Sequence, residues 1–156
     1  MFNFNNRHFI SLAVLFVAAP VFAQNGNFDP LRLRAGFGQA AVNGFTGGSV
    51  SFSERFGSRD RNNNQCLGFG DTNPDHIMVL ENDLAYLKLR VNSNRNDTTL
   101  VIQSLNNGTL RCGDDTGPNP DASIEDFNVP AGTYNVWVGS VEPGQRWNYR
   151  LSASEN

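Results

Sequence analysis

Apolar and polar residues alternate along much of the chain from residue 31 onward. Residues 31–35, 85–91 and 147–152 each follow a period of two, which is typical of a strand with one buried face. Residues 133–141, with three valines, a tyrosine and a tryptophan, form the most strand-like segment. Residues 36–48 are rich in glycine and alanine, and we interpret them as a loop.

A β-hairpin is predicted in the middle of the chain. The β-branched run at residues 98–103 is followed by Asn107-Gly108, a strong hairpin turn, and by a return strand that ends at Cys112. No stretch after the first two dozen residues repeats its apolar positions with the period of a helix. About eight short strands separated by Gly, Pro and Asn therefore predict an all-β fold, an antiparallel β-sandwich or jelly roll.

The N-terminal residues have the pattern of a signal peptide. A short positive region precedes an apolar run at residues 9–19, which is shorter than a membrane-spanning helix, and Ala23 ends a sequence that suits cleavage. We expect residues 1–23 to be removed, 24–30 to form a short, loose lead-in and 31–154 to form one domain. No later stretch reaches a membrane-spanning length. The sequence therefore predicts an exported protein, periplasmic or extracellular, with no transmembrane anchor.

The charge balance narrows the range of partners. Of 12 basic and 15 acidic residues in the chain, only Arg7 lies in the leader, which leaves eleven basic against fifteen acidic residues. The basic residues are scattered, and all but Lys88 are arginines. Nucleic acid and polybasic membrane binding need a concentrated positive face, so we expect neither.

Two cysteines, Cys66 and Cys112, are present in a chain that is predicted to be exported. Free thiols are a hazard in an oxidising compartment, so the sequence predicts one disulfide between them. A metal site would need more ligands, and a redox pair is usually spaced Cys-x-x-Cys.

An ordered series of short motifs resembles the bacterial pre-peptidase C-terminal domain and its stand-alone secreted relatives. The resemblance covers most of residues 31–154 and is carried by Cys66-Leu67-Gly68-Phe69, Pro74-Asp75-His76, Asp97-Thr98-Thr99-Leu100, Cys112-Gly113-Asp114-Asp115, Asn119-Pro120 and the segment at 132–140. It implies a β-sandwich that serves as an accessory module for binding, secretion or folding. Some members of the family bind calcium, and some bind matrix or polysaccharide. The relatives often carry a further Asp where this chain has Gly113.

Catalysis lacks the necessary residues. Since His8 lies in the leader, His76 is the only histidine left to act as a base near neutral pH. No Gly-x-Ser-x-Gly elbow accompanies it, and one histidine cannot build a zinc site. We expect His76 to pack or to form hydrogen bonds at the start of a strand, and the acidic residues 71–75 before it to form a structured turn.

An acidic loop is the one positive signal for a ligand. Asp114, Asp115, Asn119 and Asp121 lie in one turn-rich stretch, and Asp97 opens the strand of the hairpin that returns to Cys112. Carboxylate and amide oxygens are the ligands that calcium takes, so the sequence and the resemblance predict a calcium site here. The alternative is that these side chains cap turns without an ion.

Aromatic residues offer a second candidate site, because exposed rings on a sandwich face can stack on sugars. In the segment at 133–141, Tyr134, Val136 and Val138 form the larger apolar set and should point inward. Trp137 would then lie on the opposite face, and it is the aromatic that we expect to be exposed and to bind a ligand.

The function that these features favour is a secreted, non-catalytic binding or accessory module, stabilised by calcium. Its ligand would be a polysaccharide, an envelope component or a protein. One alternative is a secreted hydrolase or a protease-directed inhibitor that acts through the polar loop at residues 57–65. Another is a purely structural envelope protein.

Overall fold

The chain folds into two β-sheets. The computed structural model describes residues 25–155, so the predicted signal peptide at 1–23 lies outside the described residues. Within that range there are twelve strands and one helix of five residues. In chain order they are β1 Leu31–Leu33, β2 Gln39–Phe45, β3 Val50–Ser51, α1 Phe52–Phe56, β4 Phe69–Gly70, β5 His76–Leu80, β6 Leu84–Asn92, β7 Thr98–Ser104, β8 Leu110–Gly113, β9 Asp115–Thr116, β10 Asn119–Val129, β11 Gly132–Ser140 and β12 Asn148–Ser154. No helix in 25–155 is long and apolar enough to span a membrane.

The seven-stranded sheet is organised around β11, which pairs with β5 and β4 along one edge and with β7 along the other. β1 and β8 lie beyond β5 and β7, and β3 lies beyond β4. The second sheet has five strands in the order β2-β12-β6-β10-β9. The all-β, two-sheet prediction is confirmed, and so is the disulfide between Cys66 and Cys112.

One strand pair is parallel, in contrast to the antiparallel prediction. β1 runs parallel to β5, with Leu31 opposite Met78. The cause lies in the N-terminal segment, where the Asn27 and Phe28 amides donate to the carbonyls of Pro74 and Asp75 at 2.9 and 2.8 Å. The expectation of a loose lead-in was therefore wrong: the segment is tied beside the approach to β5 and delivers β1 in the same direction.

β2 occupies residues that the sequence predicted to be a loop. It pairs with β12 at seven positions, from Gln39 opposite Ser154 to Phe45 opposite Asn148. Gly44 does not form a turn. It allows Tyr149 to pack closely against β2, because a Cβ at this position would lie 2.5 Å from the hydroxyl of Tyr149. Glycine and alanine therefore serve close approach between elements in this segment.

β10 and α1 were also missed by the sequence analysis. β10 has eleven residues and pairs with β6 from Ser123 to Val129. The strand could not be recognised from the sequence because it contains the polar residues Asp121 and Asp126. In the fold both are buried and accept hydrogen bonds. β3 ends at Ser51, which caps α1 by accepting a hydrogen bond from the amide of Glu54.

The main core lies between the sheets and is built from the alternate residues of β5, β6, β7, β11 and β12. A smaller cluster lies on the outer surface of the seven-stranded sheet. There the disulfide and α1 cover Val101 and Trp137, with Phe52 fully buried among them. The sandwich is thus covered by extra chain on one side only.

A buried ion pair joins the two sheets at one side of the core. The Nε of Arg111 on β8 lies 2.5 Å from Oδ2 of Asp126 on β10, and both side chains are less than a tenth exposed. Arg61 approaches the same carboxylate at 3.5 Å from the loop before β4. Removal of one partner would leave a charge in a low-dielectric environment.

The variant Asp126→Ala should lower the free energy of unfolding by about 3–5 kcal/mol, because Arg111 would remain buried without its partner. The matched control is Glu125→Ala, which removes the exposed neighbouring pair with Lys88 and should cost less than about 1 kcal/mol. Urea unfolding followed by tryptophan fluorescence measures both. Equal losses in the two variants would contradict the role of the buried pair.

Candidate functional site

Three predicted calcium ligands come together at one end of the sandwich. Asp97 ends the β6–β7 loop, Asp114 lies between β8 and β9, and Asp115 begins β9. One carboxylate oxygen from each lies within 4.8 Å of the others, and we call these three residues the acidic cluster. The hairpin of β7 and β8 brings them together, since Leu100 is opposite Gly113 in its register.

The acidic cluster is electrostatically unfavourable as it stands. Partial burial, with repulsion from Asp115 and Asp97, raises the pKa of Asp114 above its ordinary value. Burial and repulsion from Asp115 likewise raise the pKa of Asp97. The Oδ1 atom of Asp114 is buried and accepts no hydrogen bond from the described residues. Such an atom lacks the compensation that buried oxygens normally have.

The other two predicted ligands, Asp121 and Asn119, form hydrogen bonds within the fold. Asp121 is buried, and its Oδ1 accepts hydrogen bonds from the backbone amide and the hydroxyl of Ser93. The side chain of Asn119 accepts from the amide of Asp121 at 3.3 Å. Both residues therefore hold the β6–β7 loop and the start of β10, as the turn-capping alternative predicted for this stretch.

A polar groove of about 450 Å³ adjoins the acidic cluster, and Asp114 and Asp115 form part of its wall. The loop at residues 57–65 forms another wall, organised by Asp60. The Oδ1 of Asp60 accepts from the amides of Asn62 and Asn64 at 2.8 and 2.9 Å, and its Oδ2 accepts from the amide of Cys112 at 2.9 Å. Together with the disulfide, these bonds fix a loop whose polar composition indicated only a solvated turn.

Trp137 is only 1% exposed, so the prediction of an exposed Trp137 was wrong. The ring packs against Phe56 of α1 at 4.8 Å between centroids, and the Arg55 guanidinium lies 5.0 Å from the indole centroid. The alternation rule failed because β11 is buried on both faces, by the opposite sheet on one and by α1 with the disulfide on the other.

His76 is fully buried at the first position of β5, in agreement with the sequence prediction. Its Nδ1 lies 2.7 Å from the carbonyl of Asp29, and its Nε2 lies 2.9 Å from the hydroxyl of Tyr149. A carbonyl can only accept, so Nδ1 carries the proton and Nε2 accepts from the tyrosine. Burial lowers the pKa of His76 and keeps the ring neutral. Both ring nitrogens are therefore used within the fold.

Asp75 is a second buried group in this network. Its Oδ2 accepts from the amide of Val138 at 2.7 Å, and its Oδ1 is 3.4 Å from the side-chain amide of Asn27. Burial is the dominant influence and raises the pKa of Asp75 to about 7, although the bond from Val138 opposes the rise. The turn at residues 71–75 is thus pinned to β11 and to the N-terminal segment.

No family model matches the sequence. No curated protein matches it. Among solved structures, the chain is similar to PliG of Aeromonas hydrophila, a periplasmic inhibitor of g-type lysozyme, with 11% identity and a TM-score of 0.44 over 81% of this chain and 97% of that chain. A likeness of this extent assigns no role to any residue of this chain, so the roles above rest on their own geometry.

The outer surface of the five-stranded sheet carries residues that the sequence did not single out as a site. Tyr86, Lys88 and Arg90 alternate with the core residues of β6 and point outward, as Arg150 does from β12. The pattern was visible in the sequence. Its meaning depended on which strands are neighbours, and no sequence signal gave the pairing of β6 with β10 and β12.

The variant Asp75→Asn should flatten the dependence of stability on pH. The folded protein binds the Asp75 proton more tightly than the unfolded chain does, so the stability that this group contributes is lost as the pH rises through about 7. Asparagine keeps an oxygen that accepts from the amide of Val138, and it does not titrate. The stability advantage of wild type over the variant should fall by about 3 kcal/mol between pH ~5 and pH ~8.

Urea unfolding of both proteins across this range measures the difference. His76 acts in the opposite sense, since its lowered pKa costs stability as the pH falls below about 6.5. That contribution is common to the two proteins and cancels. Parallel pH profiles would show that Asp75 does not titrate in the folded state as stated.

Proposed function

We propose that this protein is an exported, non-catalytic binding module of the pre-peptidase C-terminal type, whose acidic cluster binds calcium. The observation that carries the proposal is the orphaned oxygen: Oδ1 of Asp114 is buried without a partner, within 4.8 Å of the ligand atoms of Asp97 and Asp115. A cation at this point would supply the missing interaction and would neutralise the repulsion among three carboxylates.

The donor set suits a hard cation. All three side chains offer carboxylate oxygens, and calcium takes roughly six to eight oxygen ligands with flexible geometry. Zinc would call for nitrogen or sulfur ligands, but the sulfurs of Cys66 and Cys112 are joined in the disulfide and His76 is engaged elsewhere. Backbone carbonyls and water would complete the shell, as they do in many calcium sites.

Calcium would act here as a structural ligand. Asp97 belongs to the loop that enters β7, whereas Asp114 leaves β8 and its carbonyl accepts from the amide of Ser123 on β10 at 3.0 Å. A cation bound by both segments would hold the edges of the two sheets together beside the polar groove. Ligand binding to the folded state alone raises its stability by mass action.

The non-catalytic part of the proposal is supported by the state of His76. This residue is the only histidine among the described residues, and it is buried with both ring nitrogens bonded. A general base must reach a proton of the substrate, which this ring cannot do without unfolding its surroundings. Asp75 beside it is also buried, and its Oδ2 accepts from the amide of Val138.

Calcium should raise the melting temperature of the protein relative to excess EDTA, with a stabilisation of about 3 kcal/mol at a hundredfold excess over the dissociation constant. The variant Asp114→Asn should abolish this response and should melt at or above the wild-type temperature in EDTA, because it removes repulsion from the cluster. Glu81→Gln, an exposed carboxylate between β5 and β6, is the matched control and should keep the full response.

Isothermal titration with calcium gives a second readout for the double variant Asp114→Asn/Asp115→Asn. Unchanged affinity in that variant, or a wild-type melting temperature that ignores millimolar-range calcium, would overturn the calcium site. Thermal melts of all proteins in EDTA report whether each variant is folded.

A second candidate function, a protease-directed inhibitor, is favoured by the loop at residues 57–65. The loop is exposed at Arg59 and Arg61, yet it is held by Asp60 and by the adjacent disulfide. Inhibitory loops gain affinity when they are fixed before binding, because less conformational freedom is lost.

If this second function holds, an equimolar amount of the protein should block a secreted serine protease of trypsin-like specificity, which recognises arginine through a buried carboxylate. The variant Arg59→Ala/Arg61→Ala should lose the effect, whereas Arg34→Ala should retain it. Cleavage of the loop with full protease activity would exclude this function.

A further inference from the structure

The outer surface of the five-stranded sheet carries basic side chains on two neighbouring strands. β6 presents Tyr86, Lys88 and Arg90, and β12 presents Arg150. We call this surface the basic face.

Carboxylates adjoin the basic face at two places. Glu125 of β10 pairs with Lys88 at 2.6 Å, and Asp83 and Glu155 lie beside Tyr86. Arg90 and Arg150 form no ion pair within residues 25–155, although the whole chain has a formal charge of −3.

Pairing registers show that these side chains are neighbours. Lys88 is opposite Glu125 on one side and Ser154 on the other, and Arg90 is opposite Ser152. Arg150 is opposite Asn92 and lies diagonally from Arg90. Side chains on one face of a strand recur at roughly 7 Å, so Tyr86, Lys88 and Arg90 span about 14 Å along β6.

An aromatic pair lies at one end of the basic face. Phe127 of β10 is 65% exposed, and its ring lies 5.1 Å from the ring of Tyr86, the residue opposite it on β6. A large aromatic side chain at a solvent-facing strand position exposes apolar surface to water and adds nothing to the core. The two rings make a platform beside the hydrogen-bonding groups of Lys88 and Glu125.

A depression of about 560 Å³ lies at the other end, around Phe45 and Arg150. Asn43 and Asn92 flank Arg150 in the same cross-strand row, and Asn148 is opposite Phe45. The guanidinium of Arg146 lies 3.4 Å above the ring of Phe45. This end therefore offers amides and guanidinium groups beside aromatic surface.

We infer that the basic face binds an extended acidic polysaccharide whose sugar rings carry carboxylates. The aromatic platform takes the apolar face of a sugar ring. Arg90 and Arg150 take the carboxylates, since a planar guanidinium matches a carboxylate with two hydrogen bonds. The asparagines of the depression bind hydroxyl groups, for which an amide is both donor and acceptor.

Two features favour a polysaccharide over a folded protein partner. Charged and polar side chains lie between aromatic rings at the two ends of the basic face, and the exposed apolar area is confined to these rings instead of forming one continuous patch. The charges of Arg90 and Arg150 are complementary to a chain that carries repeated anionic groups. The inference rests on the proposed role as a binding module and gives that role a ligand class.

Affinity electrophoresis with polygalacturonate in the gel tests the inference, with EDTA present so that calcium cannot bridge protein and polymer. The protein should be retarded by polygalacturonate and not by neutral dextran, and added salt should weaken the retardation because the contacts are ionic. Poly-glutamate provides an acidic polypeptide of similar charge and should bind at least roughly tenfold more weakly, because it has no ring to stack.

The variants separate charge from stacking. Arg90→Gln/Arg150→Gln should weaken binding by roughly tenfold or more and reduce its salt dependence. Phe127→Ala should weaken binding roughly tenfold and leave the salt dependence unchanged. Arg32→Gln and Leu105→Ala, exposed at other places on the surface, are the matched controls and should bind as wild type does. Each altered side chain is exposed, and melting temperatures confirm folding.

Equal retardation by dextran or poly-glutamate would overturn the inference, as would wild-type binding by the variants of the basic face. Absence of retardation by polygalacturonate would overturn it too. Calcium binding is measured separately by melting, so loss of the calcium response with retained retardation would remove the calcium site alone. If retardation is absent but the calcium response is retained, only the proposal of polysaccharide binding is overturned.

Discussion

β11 has to be covered on both faces, and the rest of the architecture follows from that constraint. Its inward residues Tyr134, Val136 and Val138 need the opposite sheet, and its outward Trp137 needs a separate cover. A short helix and a disulfide-bonded loop supply that cover. The single disulfide therefore does more than restrict the unfolded chain, since it fixes the loop that shields the central strand from water.

The outer surface of the five-stranded sheet has no comparable cover among residues 25–155, so its outward side chains face solvent. From Tyr86 onward, the residues of β6 alternate, with two leucines and a valine inward and aromatic, charged or polar residues outward. The outward positions are free of core constraints. They can therefore carry basic side chains such as Arg90 and Arg150.

Sequence reasoning succeeded where a strand has one wet face and failed where tertiary contacts change the meaning of a residue. The alternation in β6 and β12 identified both strands, and the Asn107-Gly108 turn identified the hairpin that brings Asp97 towards Asp114. Trp137 was misplaced because no local signal shows that a strand is buried twice. β10 was missed because Asp121 and Asp126 are polar in sequence but satisfied in the fold.

The same physics separates the acidic cluster from the other buried carboxylates. Where a carboxylate is buried elsewhere in the described chain, donors within the fold reach it. Asp60 accepts from the amide of Cys112, and Asp75 accepts from the amide of Val138. Asp121 accepts from the amide and the hydroxyl of Ser93, and Asp126 accepts from the guanidinium of Arg111. Asp114 differs, because its buried Oδ1 accepts no such bond and its nearest charged neighbours are two further carboxylates. Burial without a donor is costly, and repulsion adds to the cost. The amide of Asp115 donates to the Asp114 carboxylate, but Oδ1 is not satisfied in this way, and for that reason we propose a cation as its partner.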